Sequence, residues 1–150
     1  MKEHNVLIGI LRMSFESASL DKIIEDKLGN AVGMSWWERK SLDIRREIKA
    51  NPKGVFVKIV NNHIAGFVTT FIEAESKTGR IMTLTVHPDF QKKGIGSELI
   101  NHALNSFKEQ GLKLARIEVL EDNTGALNLY RKLGFQDMAP QMYLAKKIDD

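Results

Sequence analysis

The 150-residue sequence predicts an α/β (α+β) fold in which a mixed, mostly antiparallel central sheet is covered by helices on both faces. Three observations carry that prediction. Two β-branched and aromatic runs, Val55 to Val60 and Ile64 to Phe71, meet across Asn61-Asn62, and asparagine tolerates the positive φ of a tight hairpin. The second half alternates extended and helical patterns as strand-helix-strand-helix-strand, an order that places helices on the sheet's faces. A chain of this length buries about two-thirds of its unfolded surface without disulfides or metals, so residues 1–150 are expected to be one domain.

The elements follow in order. Val6 to Met13 reads as a first strand. From Ser19, the residues Leu20, Ile23, Ile24, Lys27 and Leu28 fall at helical spacing until Gly29 and Asn30 stop it. Gly29 to Met34 is a loop. A second helix spans Ser35 to Ala50, with Ser35 as N-cap, Glu38 three residues on as a capping box, and Asn51-Pro52 as its end. After the hairpin, Gly79 or Arg80 to His87 is a strand closed by Pro88, and Gly94 to Gln110 is a helix with Leu99, Ile100, Ala103, Leu104 and Phe107 as its apolar stripe. Lys113 to Leu120 is a strand, Thr124 to Leu133 a short helix stopped by Gly134, and Phe135 to Lys147 a final hairpin turning near Ala139-Pro140.

Composition narrows the function. The 22 Lys and Arg against 19 Asp and Glu form no long basic tract, so nucleic acid is not an expected partner. With no cysteine, a disulfide scaffold, a thiolate metal site and an acyl-cysteine intermediate are all excluded. His4, His63, His87 and His102 lie far apart and in no zinc spacing, and no metal is expected. The apolar run Val6 to Leu11 is too short to span a membrane and lacks a leader's cleavage site, which points to a cytoplasmic protein.

The segment Gln91-Lys92-Lys93-Gly94-Ile95-Gly96 lies between a strand and a helix. Two glycines two apart, after two lysines, leave backbone N–H groups open to an anion where the helix dipole adds positive potential. That is a seat for a pyrophosphate. A dinucleotide fingerprint needs a third glycine where Leu99 stands, and no G-x-x-x-x-G-K-S/T loop occurs.

With the downstream Asn123, Ala126, Tyr130, Gly134 and Phe135, the residues Gln91, Gly94 and Gly96 match the motifs Q/R-x-x-G-x-G/A, N-x-x-A-x-x-x-Y and G-F at the family spacing. Somewhat more than the C-terminal half of the chain therefore resembles the GNAT superfamily of acyl-CoA N-acyltransferases, most nearly its ribosomal-protein-alanine type. The first fifty residues show no comparable match. The resemblance implies a splayed central strand pair that admits the pantetheine arm, and acetyl-CoA as co-substrate. It further implies that Leu84, Thr85 and Val86 hydrogen-bond the arm and thioester through their backbone, while Lys92, Lys93, Gly94, Ile95, Gly96 and Ser97, with Gln91, hold the pyrophosphate. By the same resemblance Asn123 contacts the coenzyme as well as capping a helix, Tyr130 protonates the leaving thiolate, and Glu118, twelve positions earlier, is a general base, with Glu73 and Glu75 as rivals.

The activity so implied is an N-acetyltransferase, with a ternary complex in which the acceptor amine attacks directly. The acceptor is a small molecule, a protein N-terminus or a lysine, and a homodimer is left open. The alternative is a CoA- or acyl-CoA-binding sensor or interaction domain without turnover, against which Tyr130 argues.

Overall fold

The structure is a computed structural model that describes residues 7, 9–10, 20–30 and 33–148. Helix α1 (Leu20–Leu28) and helix α2 (Trp36–Ala50) lie against one another. The Trp36 N–H donates to Glu25 Oε2 (3.2 Å), and Arg39 Nη2 donates to the Asp21 carbonyl (2.9 Å). One arm of the expected capping box is made, the Ser35 N–H donating to Glu38 Oε2 at 2.9 Å. A 3-10 turn over Pro52–Gly54 follows. It is fixed to the sheet by Thr70, whose hydroxyl donates to the Gly54 carbonyl (2.8 Å) and accepts from Asn51 Nδ2 (3.1 Å).

Strands β1 (Phe56–Val60), β2 (His63–Glu73), β3 (Thr78–Val86) and β4 (Leu114–Ile117) form one sheet in the order β1-β2-β3-β4. The first three are antiparallel, and β4 runs parallel to β3. As expected, the β1–β2 turn is made by Asn61 and Asn62, at φ 50° and 63°. Between β3 and β4 comes α3 (Ile95–Glu109), and after β4 comes α4 (Thr124–Lys132). Helix α3 covers one face of the sheet, where Val68, Ile81, Ile95, Leu99, Ile100, Ala103 and Phe107 form the main core. Gly79 permits this approach, since a Cβ there would sit 2.5 Å from the Phe107 ring. Helix α2 covers the other face, where Ile44 packs on Phe67 and Leu7.

Three expectations are corrected. Of the strand expected over 6–13, the described residues Leu7, Gly9 and Ile10 are helical and the rest lie outside the described residues; a short apolar run does not separate strand from helix by periodicity. In the loop expected over Gly29 to Met34, positions 31 and 32 also lie outside them. The strand expected over Lys113 to Leu120 stops at Ile117, opposite Ile81 and one residue short of the register shift at Met82 of β3. The final hairpin is absent: residues 135–148 carry no strand, and Met138, Met142, Leu144 and Ile148 are exposed. Pro140 offers no N–H to a ladder, and the start of the segment is tied to α4 by two bonds from Arg131 to Asp137 (2.9 and 2.7 Å).

Candidate active site

The site begins with a mismatch between two strands. β3 has nine residues and β4 four, and their parallel pairing runs only from Thr78 opposite Leu114 to Ile81 opposite Ile117. On its other side, β3 pairs Thr83 with Thr69 but Ile81 with Thr70, leaving Met82 as an extra residue. Such a bulge bends a strand and increases its twist. Beyond Met82, β3 continues to Val86 with no β4 partner, so the central pair splays, as the family resemblance implies.

The direction of the backbone groups along this open edge follows from two hydrogen bonds. The His87 N–H donates back toward β2, to the Ala65 carbonyl at 2.7 Å, whereas the Val86 carbonyl accepts from Gln91 Nε2 at 3.2 Å. Successive residues of an antiparallel pair alternate in direction, so Leu84 turns its N–H and C=O to the open edge. The Thr85 side chain falls on the face covered by α2, while Leu84 and Val86 pack with the α3 core.

At the end of β3 a 3-10 turn (Pro88–Phe90) leads into the loop, which is exposed from Gln91 to Gly94. Lys92 (φ 63°) and Gly94 (φ 78°) are both left-handed, and Gly94 is the N-cap of α3. Glu98 N donates to the Gly94 carbonyl (3.0 Å), so the N–H groups of Ile95, Gly96 and Ser97 precede the first intrahelical bond. Gly94 has no side chain to cap them. The two glycines serve different needs: Gly94 supplies the positive φ, whereas a Cβ on Gly96 would stand 3.3 Å from Leu129 of α4. Lys92 and Lys93 are exposed beside these groups, and the nearby Glu98 is paired with Lys58 at 2.7 Å. The arrangement suits a multiply charged anion. Gln91, for its part, spends its side-chain amide tying the loop to β3.

Tyr130 of α4 is 8% exposed and stands in the main core, its ring edge-on to Phe135 at 6.0 Å. Burial pushes its hydroxyl up to about 12, so it is a protonated donor at neutral pH. Asn123 caps α4, its Oδ1 accepting from the Ala126 N–H (3.3 Å).

Of the three carboxylates expected as bases, Glu73 is the last residue of β2, while Glu118 and Glu75 lie outside the strands. Glu118 is the first residue beyond β4 and lines a shallow depression with Arg80, Ile81, Met82, Arg116 and Ile117. Its Oε1 accepts from Arg80 Nη2 at 3.0 Å and lies 3.9 Å from Arg116 Nη2. Arg80 also reaches Glu73 Oε1 (3.4 Å), so two of the candidates share one guanidinium. Glu75 is exposed in the β2–β3 turn.

Sequence reasoning passed over a second polar group, on the face covered by α2. There Glu47 Oε1 accepts from the hydroxyls of Thr69 (2.7 Å) and Thr83 (2.8 Å), both buried. Two signals in the sequence could have found it: Glu47 falls three residues after Ile44 and one before Ile48, on the inward stripe of α2, and Thr83-Leu84-Thr85 alternates on β3.

Together these features define a class: an α/β fold whose open strand edge leads to a helix start suited to an anion. Comparison with known proteins gives the family. The profile of the acetyltransferase (GNAT) family matches residues 18–135. A mycothiol acetyltransferase of Streptomyces coelicolor is 34% identical over 98 residues, 65% of this chain and 32% of that protein. The ribosomal-protein-bS18-alanine N-acetyltransferase of Escherichia coli K12 is 30% identical over 77 residues, 51% of each. The chain thus spans between a third and about half the length of these relatives. A crystal structure from Pyrococcus horikoshii OT3 superposes with a TM-score of 0.72 at 26% identity, covering 93% of this chain and 84% of that one. The PaiA N-acetyltransferase of Thermoplasma acidophilum, solved in complex with coenzyme A, shares the fold with a TM-score of 0.75 at 20% identity over 93% and 87% of the two chains. The chain belongs to the acetyltransferase (GNAT) family.

Proposed function

We propose that this chain transfers an acetyl group from acetyl-CoA to a primary amine by direct attack within a ternary complex. One observation supports the reading above the others: the edge of β3 left open after Met82 runs, within a few residues, into a helix start whose N–H groups lack capping. The co-substrate has matching parts, an amide-bearing arm and a pyrophosphate. In this reading Leu84 bonds the arm, with Thr85 and Val86 framing it, and Lys92 to Ser97 hold the pyrophosphate. Asn123 has its Oδ1 committed to the cap and its amide N–H groups left for the coenzyme.

The acceptor nitrogen attacks the thioester carbonyl, the C–N bond forms, and the C–S bond breaks. The departing thiolate takes the Tyr130 proton, and the proton shed by the acylated nitrogen restores the phenol, so the step balances without another reactant. Glu118 enters as a carboxylate beside Met82, where the splay begins, receiving that proton on its way. Its Oε1 is taken up by Arg80, so Glu118 acts as a base only once the acceptor displaces that guanidinium. Relatives named for mycothiol and for a ribosomal-protein alanine leave the size of the acceptor open.

Calorimetry with acetyl-CoA, followed by thiol release against a panel of amines, tests the reading. Tight binding with amine-dependent release is expected. Binding without release from any amine would make the chain a coenzyme-binding domain, and absence of binding would reject both.

A further inference from the structure

We infer that Glu47, Thr83 and Thr85 form the seat of the acceptor's ammonium group, on the face of the sheet that α2 covers. The inference rests on the acetyltransferase reading and names the acceptor side of that site.

Two independent observations lead there. The first is Glu47 itself. Both threonine hydroxyls donate to its Oε1, and among the described residues Oε2 has no hydrogen-bond or cationic partner. A helix held to a sheet needs no carboxylate there, since an apolar side chain would pack as well. The charge is accounted for if a cation arrives with the substrate. The second is Thr85. It is 2% exposed, and its Oγ1 is buried without a hydrogen-bond partner, although a buried hydroxyl is ordinarily paired.

The geometry joins the two. Thr83 and Thr85 lie on the same face of β3, roughly 7 Å apart along the strand. A nitrogen placed between them, about 3 Å from Thr85 Oγ1 and about 3 Å from the carboxylate held on Thr83, completes both groups. An ammonium has three donors: two meet this pair, and the third proton passes to solvent before the nitrogen, then a free amine with a lone pair, attacks the thioester carbonyl. Leu84, whose backbone faces the open edge, stands between the two threonines, so the seat and the proposed thioester position differ by one residue of strand. The seat favours a cationic aliphatic amine over a neutral or aromatic one.

The test is amine affinity measured with CoA present at pH 7, using n-butylamine, spermidine and an alanyl tripeptide amide as probes. At least one probe should bind the wild-type protein, and Glu47→Gln should weaken it about tenfold or more while leaving acetyl-CoA affinity unchanged. Should Glu47→Gln fail to fold, Thr85→Val keeps the shape and removes only the unpartnered hydroxyl. It should weaken the amine about threefold without lowering the melting temperature, whereas a purely structural role leaves amine affinity alone. Equal amine affinity in both variants, or no probe binding to wild type while acetyl-CoA binds, overturns the inference. Failure of acetyl-CoA to bind would instead reject the acetyltransferase reading itself.

Discussion

On the side of the sheet under α3, β2 and β3 present Val68, Ile81, Leu84 and Val86 to a helix stripe of Ile95, Leu99, Ile100, Ala103 and Phe107. On the side under α2 the same two strands present Phe67, Thr69, Thr83 and Thr85, and the helix answers with Ile44 and a carboxylate. Both sides are buried, so burial alone does not explain the contrast. The difference separates two tasks. The first side supplies the transfer free energy that holds the fold, and the second gives up part of that gain to keep hydroxyls and a charge beside the open edge of β3.

The largest effect should come from opening the apolar side. Phe107→Ala removes a ring that touches Gly79 on the sheet, and should cost about 3–5 kcal/mol in denaturant unfolding while leaving the amine preference of the remaining folded protein unchanged. A comparable loss from Thr69→Val would erase the distinction between the faces.

Tyr130 is the exception on the apolar side, the single ionisable group among that cluster's described buried residues. Tyr130→Phe keeps the ring, so kcat should fall roughly 10²-fold with acetyl-CoA affinity preserved. Wild-type kcat with chemistry rate-limiting would make it a packing residue. Burial also gives it a signature in stability. The folded hydroxyl titrates at about 12 and the unfolded one near 10, so above pH 10 the unfolded chain loses a proton that the native chain keeps. The contribution is complete below pH 10 and is lost between about pH 10 and 12. Melting curves across that window should decline less steeply in Tyr130→Phe than in wild type.

Between the faces lies the loop. Gly94→Ala forces a Cβ into a left-handed conformation at about 1–2 kcal/mol, with open space around it. It should weaken acetyl-CoA binding roughly tenfold, and unchanged affinity by calorimetry would reject the pyrophosphate seat. The smallest effect is expected at Glu118, exposed and tied to Arg80. If it serves as a base, Glu118→Gln should lower kcat/KM near neutral pH and recover as pH rises and free amine appears. A profile parallel to wild type would assign it to the ion pairs.

Local chemistry made much of this readable. Asn61-Asn62 dictates its turn, Gly94 its positive φ, and Ser35 with Glu38 the start of α2. The unreadable parts depend on partners distant in sequence. The run Leu114 to Leu120 keeps the apolar Val119 and Leu120 beyond Ile117, yet it pairs only as far as Ile81 of β3, and the bulge at Met82 that follows is a matter of register with β2. Phe135 to Lys147 has strand-like chemistry without a strand beside it. Nothing local marks the pairing of Glu47, because its threonine partners lie 22 and 36 residues away.

Met82 has one more consequence. An unpaired strand edge ordinarily invites another protein to add itself, and sheets defend their rims with charges, prolines or covering loops. The edge that begins at Met82 lies between two strands of its own sheet, on a backbone already twisted out of line. A flat neighbouring strand finds no straight template there, while a thin, flexible chain carrying a few amides can thread in. On the proposed reading, the kink that makes room for a small molecule also denies a neighbouring strand a straight edge to pair with.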